Sequence, residues 1–387
     1  MLDFINSKYI VIMRKILKLA LCAACVMSLP ACKNSNNEVT TDKEEALARA
    51  ITPYVNNTVI ATYKGMADEG LVLLGQCRQI LDKVEKGEDY SALTAGARTT
   101  WRTMRKYWEQ SEAFLYGPAS AHNIDPHIDS WPLDFNAMNA LLNNQEQMAQ
   151  IEEEGGAYVG DKLGYALKGF HAAEYLLFTK NTLTHAEAVY LLGIVEDLTQ
   201  QAVLLEYCWA GKINEAKTVV LEEGGVEPWE DNYGYQMMNA GKAGSIYVTY
   251  QEAAEEIIAG CVDIAGEVAE LKMGNPYLSS TDEQREYIES PYSCTSVIDF
   301  ADNIRSIKHA YCGSQTGDYS VSEYVSGLNE ELDGRVRKAI EAAIAAIGAI
   351  QNFETTAQGN PQVKAAIDKV AELEDVLDKE VLPLLSK

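Results

Sequence analysis

The sequence predicts an all-α protein, and three observations carry that reading. Ala, Glu and Leu are the commonest residues of the chain, and Pro is scarce, with 10 in 387 residues. These are the residue types that lose least on entering a helix. Apolar residues recur at steps of three and four through most of the chain, the spacing of one helix face. Each half of the chain holds about four long segments of this kind. Hydrophobic residues make up 47% of the sequence, which leaves ample material for a core.

The N-terminus reads as a targeting segment. Arg14, Lys15 and Lys18 follow Met13 and form a basic n-region, and Met13 is a candidate start. The apolar run from Leu19 to Leu29 is too short to span a bilayer. It ends in Leu29-Pro30-Ala31-Cys32, a lipobox, in which the Cys becomes the first mature residue and carries lipid. Residues 1–31 are therefore expected to be a lipoprotein signal peptide, with Cys32 the lipidated residue. Residues 32–43 are polar and rich in Asn and Thr, and read as a flexible tether. The expected location is the cell envelope, as an outer-membrane lipoprotein on the periplasmic or outer surface. Contact with the membrane would be through the lipid alone.

The full chain carries a net charge of −25. Residues 1–31 contribute four basic groups and one acid, so losing that net +3 takes the mature chain to −28. Such a balance argues against nucleic acid and other polyanions as partners. It suits a protein that meets cations or basic partners. The cysteines after Cys32 are Cys77, Cys208, Cys261, Cys294 and Cys312, an odd number and widely spaced. A disulfide is possible in this compartment, but no zinc–thiolate spacing is present.

In chain order, residues 42–86 read as one long helix that Pro53 and Gly65 could kink or divide. Asp89 or Ser91 can cap the next, which extends to about Leu115. Trp101, Met104, Arg105, Trp108, Glu112 and Leu115 share a face of it, an aromatic stripe that reads as core. Residues 117–132 form the longest irregular stretch of the first half and hold His122, Asp125, His127, Asp129 and Trp131. Long loops in compact domains are often functional, although Asp129 could also simply cap a helix starting at Pro132 or Leu133. Further helices are expected over 134–150, 161–178 and 184–209, the last with a Thr184/Glu187 capping box. Others follow over 235–272, 322–350 and 361–384, with 274–292 mostly loop.

Two constellations stand out. Leu163, Leu167, Phe170, Glu174 and Leu177 fall on one face of the helix over 161–178, so a carboxylate sits in a core stripe. His171 precedes Glu174 by one turn and can pair with it. A buried carboxylate requires such a partner, and a metal ion would serve as well. The second is the stripe Ser296, Asp299, Asn303 and Ser306, rotated by about 100° from the apolar stripe Val297, Phe300, Ile304 and Ile307. Small and polar with a single acid, it suits the wall of a wet cleft, or else an amphipathic helix whose polar residues bond locally. His171 and Glu174 are expected to face Ser296, Asp299 and Asn303, with Asp129 and Trp131 over one end. On that view Glu174→Leu could even stabilise the ligand-free protein.

Gly169-Phe170-His171-Ala172-Ala173-Glu174-Tyr175-Leu176-Leu177-Phe178 closely resembles the Gly-x-His-x-x-Glu signature of the imelysin family. Similar family patterns recur at Trp108–Pro118, at Ile128–Asp134, and at Tyr292–Ser296 with Asp299 and Asn303, so the resemblance covers most of the mature chain. That family includes iron-regulated envelope proteins and a member described as an insulin-cleaving protease. The resemblance implies two packed helical bundles, here 44–182 with the motif helix and 183–387. It implies His171 and Glu174 as metal ligands. Gly169, Asp129, Trp131, Ser293, Ser296, Asp299 and Asn303 would line the site.

Two functions stay open. The first is a lipid-anchored binding component of iron or other metal acquisition. Its partners would be a metal ion or small ligand and an envelope uptake system. The lipobox, the acidic chain and the oxygen- and nitrogen-rich site favour it. The second is a metallopeptidase using His171-x-x-Glu174. A hydrolytic metal centre needs three protein ligands and an open position, and the third would have to come from His122, His127 or Asp129. No His-Glu-x-x-His, Gly-x-Ser-x-Gly or phosphate-binding Gly-rich loop is present.

Overall fold

A computed structural model describes residues 36–280 and 284–387. The signal peptide, Cys32 and residues 32–35 of the expected tether lie outside the described residues. Among the described residues every regular element is helical and no strand occurs. Lys43–Lys387 form one compact unit.

The first helix, α1 (Asn36–Pro53), begins inside the stretch expected to be tether. Apolar residues from Leu47 to Val55 are anchored in the core, and a helix once nucleated propagates readily into a polar neighbour. Pro53 does not end it. Its missing N–H instead coincides with a widened π segment, Tyr54–Val59, that leads into α2 (Ile60–Lys86). Gly65 leaves α2 unbroken and serves packing, because a Cβ there would meet the Tyr107 ring at 2.5 Å. Helix α3 (Ser91–Glu109) stops earlier than its apolar pattern suggested, and a short 3-10 turn at Glu112–Phe114 follows. Residues 118–121 and 124–128 are short helices within the stretch expected to be irregular.

The motif helix is shorter than its periodicity implied. A 3-10 turn at Tyr165–Leu167 and an extended Lys168 precede α4, which begins at Gly169 and ends at Thr179. The break is at Gly169, where φ is 75° and a Cβ would lie 2.1 Å from the Ile128 carbonyl oxygen. Only glycine meets both demands. Leu163 and Leu167 therefore do not continue the α4 stripe, whereas Phe170, Glu174 and Leu177 are fully buried on it.

Helix α5 (His185–Ala210) opens on the Thr184/Glu187 capping box and runs through the centre of the molecule. It is long and apolar enough to cross a membrane, but 83% of its most apolar stretch is buried in the fold. It packs on α2 and α4, and α2 packs on α3. The region expected as one helix over 235–272 is two, Tyr233–Met238 and α6 (Tyr250–Glu267), because Gly241 and Gly244 adopt positive φ between them. Helices α7 (Ser296–Cys312), α8 (Glu330–Gly348) and α9 (Pro361–Val376) complete the frame. Helix α6 packs on α7 and α9, and α8 packs on α7 and α9. The polar contacts below arise where α3 and the Glu112–Phe114 turn meet α6 and α7.

Candidate functional site

Arg105 on α3 stands at the centre of a buried charge network, with 1% of its side chain exposed. Its guanidinium donates to Asp129 and to Glu289, the latter at 2.6 Å. Glu109 Oε1 lies 2.5 Å away one turn along the helix, and Asp299 Oδ2 lies 3.7 Å from Nε. Lys272 Nζ approaches Glu289, Glu112 and Glu109 at 3.3, 3.6 and 3.8 Å. The sequence placed Arg105 and Glu112 on an aromatic core stripe and passed over them. A cation and an acid inside such a stripe were the available signal, since buried charges must be paired. Glu289 lay in a segment read as loop, with no periodicity to mark it.

His171 and Glu174 adjoin this network and are fully buried. His171 Nδ1 is 3.2 Å from Glu174 Oε2. Glu174 Oε1 accepts from the Tyr292 N–H at 3.0 Å and from the Ser293 N–H and Oγ, both at 2.7 Å. Both carboxylate oxygens of Glu174 are thus engaged by protein. The other ring nitrogen, His171 Nε2, lies 3.1 Å from Asp129 Oδ1 but out of line for a hydrogen bond, and it has no hydrogen-bond partner. His171 Nε2, Asp129 and Glu289 present ligand atoms within 4.8 Å of one another.

Asp129 closes the short helix 124–128 through its backbone, but its side chain does not cap the helix that follows. It accepts from Arg105 and, at 2.8 Å, from the Trp108 indole, while Asp134 caps the helix Phe135–Leu142 through the Ala137 N–H. Trp131 sets its ring edge-on to His171 at 5.1 Å and donates to the Glu286 carbonyl. Gly169 brings α4 against the backbone of Ile128 next to Asp129. Of the three candidate third ligands, only Asp129 reaches His171. His127 pairs with Asp197 at 2.8 Å and His122 with Asp231 at 2.5 Å.

The polar stripe of α7 is interior rather than the wall of a wet cleft. Ser296, Asn303 and Ser306 are fully buried, and Asp299 is 3% exposed. Ser296 donates to the Glu289 carbonyl at 2.5 Å, and Asn303 donates to Glu109 Oε2 at 2.5 Å. Ser306 accepts from the Ala113 N–H at 3.0 Å. A chain of hydroxyls links Glu174 to Asp299. Ser293 Oγ is 2.9 Å from Thr295 Oγ1, which donates to Asp299 Oδ2 at 3.1 Å. Local bonding and long-range pairing therefore share the stripe, and close approach of α3 excludes bulk water from it.

Six carboxylates (Glu109, Glu112, Asp129, Glu174, Glu289 and Asp299) surround three basic groups, Arg105, Lys272 and His171. Protons take up part of the imbalance. Burial pushes Glu109 up to about 8 and Asp299 up to about 7, against the pull of Arg105. Burial alone would lower His171, but the Asp129 and Glu174 carboxylates hold it at about 9. Asp129 is held well below the usual carboxylate range: its burial is outweighed by Arg105 and His171.

Comparison with known proteins agrees with this architecture. The imelysin family model matches residues 59–377, and the chain belongs to that family. It is 26% identical over 371 residues to iron-regulated protein A of Synechococcus elongatus, covering 94% of this chain and 92% of that protein. Among solved structures, it resembles a protein described as an iron-regulated protein A precursor from Parabacteroides distasonis. There the TM-score is 0.75 and the identity 23%, with 93% of this chain and 98% of the other covered. An imelysin-like protein from Psychrobacter arcticum shares the fold at TM-score 0.64 and 12% identity, over 92% of this chain and 98% of its own.

Proposed function

We propose that this imelysin-family chain is a lipid-anchored metal-binding protein of the cell envelope, serving iron or other divalent-metal acquisition, with Cys32 as its anchor. The observation that carries the reading is His171 Nε2, a buried ring nitrogen without a hydrogen bond, beside two carboxylates in a cluster with surplus negative charge. His171, Asp129 and Glu289 are the proposed ligands. One nitrogen and two carboxylate oxygens form a donor set suited to Fe²⁺ and its neighbours. Glu174 acts behind His171, fixing the ring through Nδ1 as carboxylates do behind metal-bound histidines. Names of relatives that speak of regulation by iron accord with this choice of metal.

The metallopeptidase alternative also needs a water on the metal and a peptide beside it. Full burial of His171 and Glu174 weighs against peptide access. The test is anaerobic equilibrium dialysis of the purified chain against Fe²⁺. One equivalent should bind, and His171→Ala and Asp129→Asn should each abolish it while circular dichroism stays helical. Equal binding by wild type and both variants would exclude this site.

A further inference from the structure

A second cluster of potential ligands lies away from the Arg105 network, at the C-terminal end of α5. His122 Nε2 is 2.5 Å from Asp231 Oδ2, and with the Cys208 sulfur these atoms lie within 4.8 Å of one another. The three residues come from separate parts of the chain. His122 follows the short helix 118–121, Cys208 is in the last turn of α5, and Asp231 is in the segment before Tyr233–Met238.

Independent contacts hold the cluster in place. The His122 ring is stacked on Trp229 at 3.7 Å with an interplanar angle of 1°. The Trp229 carbonyl accepts the Cys208 thiol at 3.9 Å, so one residue braces two of the three groups. Gln236 Nε2 donates to the Asp231 carbonyl at 2.6 Å and fixes the backbone that presents the carboxylate. Cys208 is fully buried, whereas the side chains of His122 and Asp231 are 21% and 31% exposed. An ion pair alone does not require a thiol at its inner side.

We propose that His122, Cys208 and Asp231 bind a borderline divalent transition metal of the zinc and cobalt class, with a fourth position left to water on the exposed side. The thiolate is what selects. Ca²⁺ and Mg²⁺ favour oxygen donors, whereas sulfur with imidazole favours later transition metals. Burial, with Asp231 beside it, pushes the metal-free thiol up to about 12. Metal binding must therefore displace the Cys208 proton, and affinity rises with pH. The site does not depend on the His171 cluster.

The test is titration of the metal-free full chain with Co²⁺, followed by absorption spectroscopy. A thiolate-to-cobalt charge-transfer band should appear in the wild type and remain in His171→Ala, Cys294→Ser and Cys312→Ser. It should vanish in Cys208→Ser and weaken at least tenfold in apparent affinity in His122→Ala and Asp231→Asn. No band in the wild type would overturn the proposal, as would a band that persists in Cys208→Ser. The His122 and Asp231 variants provide the same reading should the Cys208 variant fold poorly.

Discussion

The Nε2 atom of His171 lies 3.1 Å from Oδ1 of Asp129 without the alignment of a hydrogen bond. That relationship joins the motif helix to the segment between α3 and α4. It depends on Gly169, since any side chain there would run into the Ile128 carbonyl beside Asp129. From it follows an antagonism between protons and metal.

Metal affinity at the His171 site should rise with pH. The ring is protonated below about 9 and must be neutral to coordinate. Between pH 6 and 8, the apparent association constant should therefore increase about tenfold per pH unit. Competition with a chelator of known pH dependence measures this. A flat profile would mean that His171 gives up no proton on binding.

The metal-free protein should lose stability on the alkaline side. Glu109 and His171 both have folded pKa values above their ordinary ones, at about 8 and about 9. Protonation of each thus favours the fold, and that contribution is lost as pH rises through those values. Tm in the presence of a chelator should fall between pH 7 and 9. Glu109→Gln, which keeps an acceptor for Asn303, should flatten that fall. An equally steep decline in the variant would show that Glu109 is not the group responsible.

Glu174→Leu should destabilise the chain, contrary to the expectation from its apolar stripe. Leucine matches the stripe but leaves the Tyr292 and Ser293 N–H groups without an acceptor. Each such loss costs about 1–3 kcal/mol. Glu174→Gln retains a carbonyl oxygen and should be milder. Urea unfolding orders the two variants, and a Leu variant as stable as wild type would refute the accounting.

The all-α class was legible because Phe170, Leu177 and the stripes of α2, α5 and α7 keep helical spacing whatever their tertiary setting. The Thr184/Glu187 start of α5 was legible because a capping box is local chemistry. Helix breaks were harder. Gly169 interrupts an apolar pattern that continues across it, and the cause is the Ile128 backbone, which is remote in sequence. In the site, His171, Glu174 and Asp129 announced themselves as polar groups in unusual positions. Arg105 and Glu289 did not, because their roles come from pairing across 184 positions of chain. The closed interior of the α7 stripe was likewise hidden, since small polar residues are compatible with a wet wall and with tight helix contact alike.

The central claim is that His171, Asp129 and Glu289 hold a metal. Anomalous diffraction from crystals grown with Fe²⁺, recorded at the iron edge, addresses it directly. A peak within bonding distance of His171 Nε2 and of one oxygen each of Asp129 and Glu289 is predicted, with Glu174 outside that distance. Iron located only elsewhere in a crystal that preserves the Arg105 network would contradict it.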